Sequence, residues 1–317
     1  MIQTKQQVKQ ADEYEGFPAD IAKQMLSIRQ SIAARREREK CEKENGKGHT
    51  SAEVLHLPLW PEAVRGAPND ILRSALFAAI QGKGRQHLEN RLIASVDGIR
   101  IKYTGRALEQ SDLDVWEQVI HLVRQNPLGT VCCFKAGSFL KAIGRSSGKA
   151  NYKWLATVLS RLTACEVRFE RPGYTHGRGL IASYDIDDNS RLYRVCVDPD
   201  MAKLYATGWT AIDWQQRQAL RRKPLALWLH GYYATHAKPL PLKVETLRAL
   251  SGSKDKTLRS YRQKLRRALD ELKAIGAILS WKIDRADLVV VDRGTALTKS
   301  QIRHLRRLRL RKNKRRA

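Results

Sequence analysis

The sequence predicts a helix-rich α+β fold in which one short module occurs twice in tandem. From Asp112 the apparent order is helix, short strand, short helix, basic turn, longer helix and β-hairpin, and from Trp214 a similar order returns. A second observation concerns charge. The 317 residues include 59 Lys and Arg against 32 Asp and Glu, a formal net charge of +27. Such an excess implies a polyanionic partner, because each neutralised phosphate releases counterions and drives binding. Helix, turn, helix and an added hairpin is the order of a winged helix. The expected division is an N-terminal helical or flexible extension (1–56), a winged-helix domain for DNA binding and dimerisation (57–200), a second for DNA binding (201–293) and a polybasic tail (294–317).

Taken in order, the extension is polar, with Ile21, Met25, Ile28 and Ile32 at helical spacing, so a helix is expected from about 18 to 42. It has too little apolar surface to fold alone, and docking, pairing with a partner and folding on binding all remain open. NGKGHT (45–50) reads as a linker. After the turn-rich LPLWPEAVRGAPND, with Asn69 or Asp70 as cap, ILRSALFAAI reads as a helix. RLIASV and IRIKYTG flank Asp97-Gly98, the strongest short hairpin signal. LDVWEQVIHLVRQ is a helix ending before Pro127, TVCCF a strand, KAGSFLKAIG a short helix, RSSGKAN a basic turn and NYKWLATVLSRL a longer helix. EVRFE and LIASYDI are the expected wing strands, joined by RPGYTHGRG, and RLYRVCVD is a third strand. Residues 199–214 are the joint. WQQRQALRRKPLALWLHGYYATH then reads as one helix, PLPL as extended, KVETLRALSG as a short helix, 254–275 as a long one, and AILSWKI with DLVVVD as the second wing. The tail TKSQIRHLRRLRLRKNKRRA holds ten Lys and Arg and no acid, which adds affinity for any polyanion.

The long helix in 254–275 carries the sharpest signal. Leu258, Tyr261, Leu265, Ala268, Leu269 and Leu272 share one face. Lys256, Arg259, Arg262, Gln263, Arg266 and Arg267 share the other, with Lys254 just ahead. An α-helix fits the major groove, where Arg, Lys and Gln read base edges or hold phosphates. In the first module, Arg145, Lys149, Asn151 and Lys153 stand on the basic turn and the start of the helix it feeds; Arg171, Arg178 and Arg285 stand on the wing loops. These fourteen are the candidate DNA-binding residues.

Other chemistries lack their residues. GRSSGKA (144–150) has three residues between glycine and Gly-Lys and an alanine afterwards, so it is not a phosphate-binding P-loop. The eight histidines include no His-x-His, so the metal and tyrosine chemistry of rolling-circle nickases lacks its ligands. Tyr261 lies on an apolar face, His230 and His236 read as structural, and Cys132 and Cys133 point to opposite faces of a strand. Trp154, Trp214, Trp228 and Trp281 read as packing. The five cysteines are odd in number and suggest reduced thiols of a cytoplasmic protein. No apolar run approaches the roughly 18 residues of a spanning helix, and the N-terminus lacks a signal-peptide core. No catalytic residue, metal or cofactor is expected.

LWPEAVRGAPNDILRSALF, IKYTG, DVWEQVIHLVRQNPLG, ANYKWLATVLSRL and LPLKVETLRALSGSKDKTLRSYRQKLRRALDEL, in collinear order over roughly 57–292, closely resemble the TrfA family of plasmid replication initiators. The resemblance implies a non-enzymatic, plasmid-encoded bacterial initiator with two winged helices. It would bind direct repeats (iterons) at an origin, melt an adjacent A·T-rich element, recruit the host initiator DnaA and the DnaB helicase, and exchange between monomer and dimer. The family's glutamine-leucine-x-leucine-phenylalanine motif for the sliding clamp is missing from VLHLPLWP, where Leu57, Leu59 and Trp60 stand as a degenerate substitute. The rival reading is a sequence-specific transcriptional repressor, which needs the same two readers but no origin melting.

Overall fold

The computed structural model describes residues 55–82, 85–96, 100–171 and 174–294. The expected N-terminal helix, the 45–50 linker and the basic tail lie outside the described residues. Among the described residues, no helix is long and apolar enough to cross a membrane.

The chain is mixed α and β. It begins with β1 (Val64–Pro68), a helical turn α1 (Asn69–Leu72) and β2 (Phe77–Ala78). The expected helix over ILRSALFAAI is therefore not formed. Ser74 Oγ donates to Ile71 O, its own backbone bridges to Ser95, and Ala75 N donates to Ala94 O, so the helical ladder loses its partners after one turn. A run apolar on every side, with Leu76 and Phe77 both buried, gives no period by which to tell helix from strand.

β3 (His87–Ile93) and β4 (Arg100–Arg106) form the hairpin expected around Asp97-Gly98, whose tip is not described. β5 (Leu108–Glu109) leads into α2 (Gln110–Val123), started by a reciprocal capping box between Glu109 and Asp112. Then follow β6 (Val131–Lys135), α3 (Ala136–Ala142) and α4 (Lys149–Thr163), whose Leu155, Val158, Leu159 and Leu162 are fully buried.

The hairpin after α4 differs from the expected one. β7 (Glu166–Arg171) and β8 (Tyr174–Arg178) pair with each other, but β7 also pairs with β4, giving a four-stranded sheet β3-β4-β7-β8. Leu180 and Ile181 are not strand at all; both backbone N–H groups donate to Leu162 O and close the end of α4. β9 (Ser183–Asp187) and β10 (Leu192–Cys196) form the hairpin that joins β6, in the order β6-β10-β9. The loop carrying Arg171 and Arg178 thus belongs to a separate hairpin set into the module.

α5 (Met201–Ala206) and β11 (Trp209–Asp213) follow, and β11 returns to pair antiparallel with β1. The predicted long helix of the second module is two helices, α6 (Trp214–Ala219) and α7 (Pro224–Ala234). Pro224 opens α7 without an N–H to give, and Arg222 turns the chain with a left-handed φ of 64°. β12 (Leu242–Lys243), α8 (Val244–Leu250), α9 (Leu258–Ala274), β13 (Ser280–Ile283) and β14 (Leu288–Asp292) complete the chain. The sheet order β12-β14-β13 repeats β6-β10-β9: the first strand pairs with the last, and the last with the middle one.

Two apolar cores result. One runs from Leu57 to Trp214 and includes Met201, Leu204 and Tyr205 of the expected joint. The other runs from Leu220 to Val291. Trp60 belongs to the first, lying so close on Gly66 that a Cβ there would meet its ring at 2.6 Å, with its Nε1 donating to His121 Nδ1 at 3.0 Å. Leu57 is buried as well, so the stretch proposed as a degenerate clamp motif is core; Leu59 alone of the three is exposed.

Polar groups fasten the cores together. Arg217, 1% exposed, sends Nε to Asp114 Oδ1 at 2.6 Å and lies 3.1 Å from Glu117 Oε2, both on α2. Its Nη2 donates to Gln110 O and Oε1. Burial pushes the Glu117 carboxyl up to about 7 even with Arg217 pulling it down. Nearby, Trp228 Nε1 donates to Ser74 O, and Arg73 Nε to Thr235 Oγ1. Gly252, at φ 61°, presses the turn after α8 so tightly on β2 that a Cβ would sit 2.8 Å from that of Ala78. We expect Arg217→Ala to destabilise the chain by about 3–5 kcal/mol, because it leaves buried carboxylates uncompensated. Denaturant unfolding measures this, and a loss below roughly 1 kcal/mol, the range of an exposed ion pair, would contradict the assignment.

Candidate nucleic-acid interface

α9 is built as its spacing predicts, with two changes: it begins at Leu258, so that Lys256 precedes it, and Arg262 is paired. Thr257 caps it, its Oγ1 accepting from Ser260 N at 3.2 Å. Tyr261, Leu265, Ala268, Leu269 and Leu272 face the second core. Arg259, Gln263, Arg266 and Arg267 are exposed, as are Lys254 and Lys256 ahead of the helix. Arg259, Gln263 and Arg266 fall at i, i+4 and i+7, so they form one stripe along the helix. Arg262 is different: it is half-buried, its Nε donating to Asp287 Oδ1 at 3.0 Å and its Nη2 to Oδ2 of the same carboxylate.

That fork ties α9 to the β13–β14 turn. Asp287 adopts a left-handed φ of 61°, and Asp284 Oδ1 accepts from Ala286 N and Leu288 N, each at 2.9 Å. Arg285 is exposed at the tip. Arg262 therefore positions the turn that carries Arg285, as well as being a candidate contact itself.

In the first module, Lys149 and Lys153 are exposed on α4, while Thr157 and Ser160 continue the same exposed side. Asn151 is turned inward on its own loop, with Nδ2 donating to Ser146 O at 2.8 Å. Arg145 lies over the Trp154 ring, 3.5 Å from its centroid, and within 3.5 Å of Asn151 Oδ1. Trp154 thus packs against the first core, as expected, and also carries the Arg145 guanidinium on its ring. Arg178 sits on β8, ion-paired with Asp198, and of the Arg171 side chain nothing is described. The turn that corresponds in topology to the one bearing Arg285 is Asp187–Arg191, where Asp187 accepts from Asn189 N and Ser190 N. Its tip is acidic at Asp187 and Asp188, so the two modules are not equivalent in charge at this turn.

Three exposed cations escaped the sequence reading. Arg221, Arg222 and Lys223 were expected inside a continuous helix, but they occupy the turn between α6 and α7. The signal available was the proline that follows them. Among the described residues, no group of three or more His, Cys, Asp and Glu forms a metal cluster. His230 is buried, with Nε2 3.1 Å from Gln216 Oε1, and burial holds its imidazole down at about 3.

A family model described as TrfA protein matches residues 19–293. The plasmid replication initiator protein TrfA of Escherichia coli is 28% identical over 275 residues, covering 82% of this chain and 68% of that protein. Among solved structures, domains 2 and 3 of RctB align with a TM-score of 0.46 at 12% identity, over 64% of this chain and 84% of that one. The Pi initiator protein in complex with iteron DNA aligns with a TM-score of 0.43 at 14% identity, over 58% and 95%.

Gln263 offers a test of base reading that charge does not confuse. Gln263→Ala is expected to weaken binding to a duplex bearing the direct repeat by about 1–3 kcal/mol, and to leave binding to a scrambled duplex unchanged. Gel-shift titrations on both duplexes decide it; equal losses, or none, would remove Gln263 from the base-reading set.

Proposed function

This chain belongs to the TrfA family, and from that premise we propose that it is a plasmid replication initiator that binds iteron repeats at an origin, promotes origin opening and brings in host replication proteins. The observation that carries the reading is the exposed stripe Arg259, Gln263 and Arg266 on a helix whose other face is core. It follows a helix and a turn, as DNA-reading helices do.

On this reading each module is a winged helix, with α4 and α9 the helices that enter successive major grooves. The repeated sheet orders β6-β10-β9 and β12-β14-β13 support it, as do the two separate cores, with the joint falling between Trp214 and Leu220. Two readers on one chain suit an asymmetric direct repeat, whereas a symmetric dimer suits a palindrome. Lys149, Lys153, Lys254, Lys256, Arg259, Gln263, Arg266, Arg267 and Arg285 are the proposed direct contacts. Arg145, Asn151 and Arg262 hold the loops that present them, and Arg171 and Arg178 belong to a hairpin outside the repeated topology. The protein acts by binding, without making or breaking a covalent bond. Recruitment of DnaA and DnaB and the exchange between monomer and dimer come with the family resemblance. Clamp binding through residues 57–60 does not, because Leu57 and Trp60 are core.

Initiation and simple repression separate in one experiment. A plasmid whose only origin is the repeat array beside this gene is expected to replicate when the protein is supplied in trans and to be lost when it is not. Repression of a promoter overlapping the repeats, with no replication, would overturn the initiator reading.

A further inference from the structure

The turn from Leu220 to Lys223 is fastened to the loop that feeds α4 and to the C-terminal part of α9. Arg221 Nη1 donates to the carbonyl of Gly144, at the loop that feeds α4. Lys223 Nζ lies 3.1 Å from Glu271 Oε1 on α9. Between them Arg222 is exposed, and among the described residues it has no carboxylate partner. Concave surface opens on either side. A groove of about 580 Å³ runs from Arg222 and Lys223 to Lys254, Lys264 and Arg267 of the second module. A smaller one of about 130 Å³ runs from Arg221 and Arg222 to Arg145 of the first.

The cations along this seam outnumber their partners. Lys264 is held by Asp255 and Lys223 by Glu271, while Asp114 is already taken by Arg217. Burial, and the guanidinium charges of Arg221 and Arg222, work against the charge on Arg145, which Asp114 and Glu109 offset in part. Crowded like charge on an exposed turn is relieved by an anion, and the anion available to a protein bridging two major-groove segments is the sugar-phosphate strand that crosses between them.

Resting on the initiator reading above, we propose that Arg222, with Arg221 and Lys223, forms a phosphate-binding bridge that grips the duplex backbone between the segments read by α4 and α9. The bridge carries no sequence information.

The test uses the full chain with Arg222→Glu, and separately with Arg222→Ala and Lys223→Ala combined, on a one-repeat duplex and a scrambled duplex over a range of salt. Arg221 is left in place because it holds Gly144. Affinity is expected to fall on both duplexes, with the slope of log K against log salt flattened by about 1 to 2, near 0.9 for each phosphate that is no longer neutralised. Preference for the repeat is retained. A methylphosphonate at the central phosphates of the repeat reproduces the loss for the unaltered protein and adds little to that of the variants. Thermal melting of each variant matches the parent, both side chains being exposed. Unchanged slopes in folded variants would overturn the bridge, and so would a loss confined to the repeat. If the unaltered protein shows no preference for the repeat, the initiator reading fails, and flattened slopes on both duplexes still uphold the bridge.

Discussion

Arg217, on the joint helix α6, anchors the joint between the two halves of this protein to α2. A guanidinium that is 1% exposed, standing in the joint, meets Asp114, Glu117 and Gln110 of α2. Removing the cation would leave Asp114 and Glu117 without their countercharge. Apolar contact alone would allow the halves to slide, whereas a fork aimed at fixed acceptors specifies register as well as proximity. Trp228 on Ser74, Arg73 on Thr235 and the seat of Gly252 against Ala78 reinforce the same geometry from other directions.

On the proposed reading a fixed arrangement matters, because two readers are useful only at a defined separation. DNA presents successive major-groove segments at a spacing set by its own helix, and a chain with two rigidly related helices matches that spacing without a partner. The high positive charge then has two uses. On α9 it is displayed at helical spacing over a buried apolar face, where it can be specific; at the α6–α7 turn it is concentrated without pattern, where it suits phosphate. The acid-tipped turn at Asp187 and Asp188 shows that charge is distributed by position and is not simply spread over the surface.

Periodicity made the long helices legible. Val158, Leu159 and Leu162, and Leu265, Leu269 and Leu272, are buried where their spacing puts them. The repeat of element order was also legible, because it needs only the sequence of helix and strand types. What stayed hidden were choices made by tertiary hydrogen bonds. Ser74 ends a helix that local propensity would continue, and Leu180 and Ile181 close α4 instead of starting a strand. β7 looked like a wing strand paired with LIASYDI because strand pattern does not say which neighbour a strand will pair with; Val167 and Phe169 alternate correctly for either sheet. In the site, exposed cations on α9 followed from its period. Arg262 did not, because its partner Asp287 lies 25 residues away on another element. Arg221, Arg222 and Lys223 were obscured by reading through Pro224.

On the proposed reading, two tandem helices held at a fixed separation let one chain read one asymmetric repeat. Stoichiometry and a hydroxyl-radical footprint of the protein on a duplex that carries a single repeat measure this without an intermediary. One chain per duplex is expected, with two protected segments on one face of the DNA about one helical turn, roughly 10 base pairs, apart. Two chains per repeat, or a single protected segment from one chain, would contradict it.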